Sequence, residues 1–60
     1  MPKMKDSIKH AIALLAGAEE CVLNALAETP DEDVEVKLAL KIQTSEIQLQ
    51  RMKLISLIER

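Results

Sequence analysis

The chain has 60 residues, with 8 Lys+Arg against 10 Asp+Glu, one His, one Cys, one Gly and no aromatic residue, for a formal charge of −2. That length bounds it to one small domain, residues 1–60, and leaves little volume for a core unless a disulfide, a metal or self-association supplements it. The acidic balance exerts no general pull on nucleic acid, and the lack of Phe, Trp and Tyr removes any platform for stacking bases or sugars. An apolar fraction of 48% is too high for a disordered chain, so a core of Leu, Ile, Val, Ala and Met is expected.

The first element is expected over about residues 4–28, as a helix. Ile8, Leu15 and Val22 recur every seven residues, and Met4, Ala11, Ala18 and Ala25 repeat with the same period, offset by three. This is an a/d seam with large side chains at one position and mostly alanine at the other, which lets a second helix approach closely. Ile12 and Leu26 widen the stripe on one side, Leu14 and Cys21 on the other, while Lys9, Gly17, Glu20 and Asn24 fall on the wet side. Glu19 is the misfit, a carboxylate at the edge of the apolar stripe between Leu15 and Leu26.

The corner Thr29-Pro30-Asp31-Glu32 reads as a helix start. Thr29 suits the N-cap, Pro30 the first helical position, and Glu32 the position that reaches back to the cap's own N–H. Asp31, Asp33 and Glu35 add negative charge at the positive end of the helix dipole.

The second element, about residues 30–58, carries two apolar stripes on nearly opposite sides. One holds Val34, Leu38, Ile42, Leu49 and Met52; the other holds Val36, Leu40, Ile47, Leu54 and Ile58. Strict alternation from Val34 to Ile42 also fits a strand, so a helix plus a β-hairpin is the competing fold. Composition favours helix, and Gln43-Thr44-Ser45-Glu46 lacks the residues that tight hairpin turns use.

The expected fold is therefore all-α: an antiparallel two-helix hairpin that self-associates into a four-helix bundle. The hairpin and dimer core is expected at Ile8, Ala11, Leu15, Ala18, Val22, Ala25, Leu38, Ile42, Leu49 and Met52. The stripe Val36, Leu40, Ile47, Leu54 and Ile58 is left as the partner interface, because one neighbouring helix cannot cover both sides. A dimer is the first expectation and a tetramer the second. Charge suggests its orientation: residues 1–18 carry +2, residues 19–36 carry −7 and residues 37–60 carry +3. An antiparallel dimer sets each acidic corner beside its partner's basic termini.

Chemistry has few footholds here. His10 and Cys21 would sit about 16 Å apart on one helix, too far for a nucleophile and its base. Metal-ligand spacings are missing, and one glycine makes no phosphate loop. No catalytic, metal or cofactor site is expected, and Cys21 reads as a small buried hydrophobe. Lys3, Lys5 and Lys9 before the run Ala11–Ala18 loosely mimic a signal peptide, but Asp6 and His10 interrupt the basic part. No uninterrupted run reaches the roughly 18–20 apolar residues of a membrane span, so the expectation is a cytoplasmic protein with no membrane partner.

In outline the chain resembles the Rop-type plasmid regulators: two helices of similar length, one tight corner, and large residues alternating with alanine in the seam. The resemblance implies a dimer of antiparallel hairpins that binds paired RNA loops, with Lys3, Lys5, Lys9, Arg51, Lys53 and Arg60 forming a basic pole. On charge and composition, nucleic acid ranks behind protein as a partner. The leading expectation is a non-catalytic interaction protein, acting as regulator, adaptor or co-chaperone through apolar helix faces. Small hairpins of this architecture include co-chaperones of bacterial export and phage- or plasmid-encoded inhibitors, an analogy of fold alone.

Overall fold

A computed structural model describes residues 2–60 and consists of two α-helices, α1 (Pro2–Glu28) and α2 (Val34–Ile58). They run antiparallel as a hairpin with extents of 49 × 15 × 10 Å, one helix diameter thick. No strand occurs among the described residues, so the alternation at residues 34–42 is absorbed into α2 and the β-hairpin alternative is not adopted.

The corner departs from the capping reading. Helix α2 begins at Val34 rather than Pro30, and its N-cap is Asp33, whose carboxylate accepts the Val36 N–H at 3.5 Å. Thr29 instead closes α1: its N–H donates to the Leu26 carbonyl at 3.2 Å and its hydroxyl to the Ala25 carbonyl at 2.7 Å. Pro30 and Asp33 are joined by a turn hydrogen bond of 3.0 Å, and Glu32 lies inside that turn rather than in a helix. The physical reason is reach. A helix ending at Glu28 and another starting at Pro30 leave one residue for a reversal that usually needs two to eight. Asp33 is an equally good cap, and using it frees the intervening residues to turn.

The half-buried side chains define which faces meet. On α1 these are Ile8, Ala11, Ile12, Leu15, Ala16, Glu19, Val22 and Leu26; on α2 they are Lys37, Leu40, Thr44, Arg51, Leu54 and Ile58, around Ile47, 6% exposed and the single buried residue among those described. The α1 seam is thus rotated from the expected one. It keeps Ile8, Ala11, Leu15 and Val22, gains Ile12, Glu19 and Leu26, and leaves Ala18 and Ala25 exposed. A straight helix at 3.6 residues per turn drifts about 20° per heptad against a strict seven-residue repeat, and α2 follows the side with the larger side chains. Cys21 lies on the abandoned flank and is exposed, not buried as expected.

Helix α1, over Lys3–Glu28, is long and apolar enough to cross a membrane by length and composition alone, with an 18-residue window averaging a hydropathy of 1.3. No unbroken apolar run underlies this: alanines and leucines on both sides of Glu19-Glu20 outweigh the two carboxylates in an averaged window.

Candidate interaction surface

The two stripes of α2 exchange the roles expected of them. Leu40, Ile47, Leu54 and Ile58 seat α2 on α1, with Val36 at the margin. The stripe expected in the hairpin core faces away: Val34 is 67% exposed, Leu38 57%, Ile42 52%, Leu49 52% and Met52 66%.

One ion pair explains the choice. Arg51 lies within the inner stripe, and its Nη1 donates to Glu19 Oε1 at 2.7 Å, with the Glu19 side chain only 14% exposed. With the outer stripe turned inward, Glu19 would lie against apolar side chains with no cation, at a desolvation cost of several kcal/mol. The carboxylate that looks misplaced on α1 alone is half of an interhelical link, and the matching signal on α2 is an arginine at the spacing of Ile47, Leu54 and Ile58. Arg51 Nε is buried without a partner, so the pair is only partly satisfied. Thr44, also on the inner face, donates its hydroxyl to the Leu40 carbonyl at 2.9 Å.

The corner carries a second ion pair, Lys37 Nζ to Asp31 Oδ1. The hydrogen bond from Lys37, with its charge, holds the Asp31 carboxyl below its ordinary value. This clip ties the turn to the first turn of α2 and adds to the Asp33 cap in setting where α2 starts.

One flank of α1 is open as well, with Leu14 62% exposed and Ala18, Cys21 and Ala25 also exposed. The accessible surface totals 4762 Å², whereas a compact monomer of 6.7 kDa exposes about 3,900 Å². The excess is near the roughly 800 Å² that each partner contributes to a standard protein interface. Among the described residues there is no cavity and no cluster of three or more His, Cys, Asp or Glu side chains. The notable feature of this molecule is thus a long apolar face on a helix whose other side is already covered.

Comparison with family models, curated proteins and solved structures finds no match to this chain.

Proposed function

We propose that the chain is a small non-catalytic interaction protein, a self-associating helical hairpin that works as a regulator, adaptor or co-chaperone by covering apolar helix faces. The observation that carries this reading is the exposure of Val34, Leu38, Ile42, Leu49 and Met52 on the side of α2 opposite α1. Side chains of this size forgo about 1.5–3 kcal/mol each when left in water, and contiguous patches of them mark interaction surfaces. Among the described residues Ile47 alone is buried, so the isolated unit has little core of its own. A folded chain then depends on what covers α2.

The same reading places the protein in the cytoplasm. A lone spanning α1 would carry Glu19 and Glu20 into the bilayer and give up the Arg51 link, whereas the hairpin keeps Glu19 paired. An RNA-binding role of the Rop type ranks second. It draws on the exposed Lys3, Lys5, Lys9, Lys53 and Arg60, but Arg51, the sixth cation of that pole, is engaged by Glu19.

The test replaces Leu38 and Leu49 together by Glu. The variant should sediment as a single chain of 6.7 kDa and lose much of its helical circular dichroism at micromolar concentration. Unchanged mass and unchanged melting would remove the reading.

A further inference from the structure

We propose that the occupant of the outer face of α2 is a second copy of this chain, docked with α2 antiparallel to α2 of its partner about a two-fold axis at Ser45. This rests on reading that face as the binding surface. The face is nearly a palindrome about Ser45. Leu38 and Met52 lie seven residues to either side of it, Val34 and Ser56 eleven to either side, and Ile42 and Leu49 three and four. An antiparallel two-fold therefore sets Leu38 against Met52 of the partner subunit and Ile42 against Leu49 of the partner subunit, while Val34 falls opposite Ser56 of the partner subunit at the edge of the contact. Ser45, exposed and small, meets its own copy where the helices come closest.

Charge selects the same register. Glu35 and Lys53 lie on one flank of this stripe, 18 positions apart, which is five whole turns at 3.6 residues per turn. Both are exposed, and neither belongs to the ion pairs found among the described residues. Their midpoint is residue 44, one position from the axis, so Glu35 falls beside Lys53 of the partner subunit, twice per dimer. A parallel pair would carry that flank to the opposite side of the interface in the partner, leaving neither Glu35 nor Lys53 beside the other's copy. At larger scale the antiparallel pair lays the acidic corner at residues 28–35 along the basic end of the partner. Because the inner and outer stripes lie on nearly opposite sides of α2, the four helices form a row, α1–α2–α2–α1, rather than a square bundle. The surplus exposed area of the single chain is near what each subunit of such a dimer must supply.

The experiment uses the full chain with Cys21→Ser, labelled with a nitroxide at Glu59→Cys beyond the end of α2. Double electron–electron resonance should give a label separation of about 40 Å, from roughly fourteen residues on either side of the axis at 1.5 Å rise. A parallel dimer gives less than about 20 Å. In parallel, Lys53→Glu should raise the dimer dissociation constant about tenfold at low salt, and adding Glu35→Lys should return it to within about threefold of the native value. A short label distance, an unaffected Lys53→Glu dimer, failure of the double exchange to restore affinity, or a single-chain mass at 200 µM (about two hundred times a dissociation constant of ~1 µM) overturns the proposal. A short distance in an intact dimer refutes the arrangement alone. The reading of the outer face as an interface falls instead on the Leu38→Glu, Leu49→Glu variant.

Discussion

Truncating Leu49 to Ala separates an intermolecular role for the outer face from an intramolecular one. Leu49 is 52% exposed within the hairpin, so about half of its side chain is left for a partner to cover. Full burial of a leucine stabilises by about 1.5–3 kcal/mol, which makes the covered half worth about 0.8–1.5 kcal/mol per copy and about twice that in a symmetric dimer. At 1.4 kcal/mol per decade, the dissociation constant rises about ten- to a hundredfold. Alanine is at least as good a helix former as leucine, so α2 itself is not weakened. The assay is sedimentation at 5 and 200 µM, concentrations spanning about 2 kcal/mol of mass action, with thermal melting by circular dichroism alongside. The variant should shift toward single chains at the lower concentration relative to the native chain and recover dimer at the higher one. Ile47→Ala supplies the contrast. It removes the one buried side chain among the described residues, costs about 2–4 kcal/mol, and lowers the melting temperature at both concentrations. If Leu49→Ala left the mass distribution unchanged at both concentrations, the outer face would have no intermolecular role.

Other substitutions test the local structure. Gly17→Ala should stabilise by up to about 1 kcal/mol, because a Cβ there meets nothing within 4 Å and the residue is helical without positive φ; chemical denaturation measures it. Asp33→Ala should cost about 1 kcal/mol through the lost cap, while Glu32→Ala should cost far less, the reverse of what a cap at Thr29 would give. Glu19→Ala strands the half-buried Arg51 and should cost about 1–3 kcal/mol, whereas replacing Glu19 by Leu and Arg51 by Met together should be close to neutral. The Asp31 carboxyl should titrate below 3.8 by NMR, and Lys37→Gln should return it toward that value. Since its folded value is depressed, the clip is complete above the usual carboxylate range and is lost as pH falls through the lowered value.

Much of this architecture can be read from the sequence. Glu, Lys, Leu and Ala fill both segments, joined by Gln in the second, and make them helices, and the stripes Val34–Met52 and Val36–Ile58 announce that α2 is apolar on two sides. Which stripe meets α1 was not legible, because both carry aliphatic side chains of similar bulk. The deciding residues are polar ones: Arg51 interrupts the inner stripe and finds Glu19, a pairing 32 residues apart that no periodicity within one helix reveals. The corner was misread for a different reason. Thr29-Pro30 and Asp33 are both competent starts, and local propensity does not include the length of chain that a reversal needs. The seam of α1 was misplaced by the small drift between a seven-residue repeat and a straight helix, enough to leave Ala18 and Ala25 outside it.

The most direct test is the solvent exposure of methyl groups in the native chain, read by NMR relaxation from a soluble paramagnetic agent at 500 µM. If α2 is covered on both sides, the methyls of Ile42 and Leu49 are as shielded as those of Ile47, and they become accessible on dilution as the particle falls toward 6.7 kDa. If Ile42 and Leu49 relax as fully exposed groups at every concentration while Ile47 stays shielded, α2 has one covered side, and the chain stands alone as a hairpin.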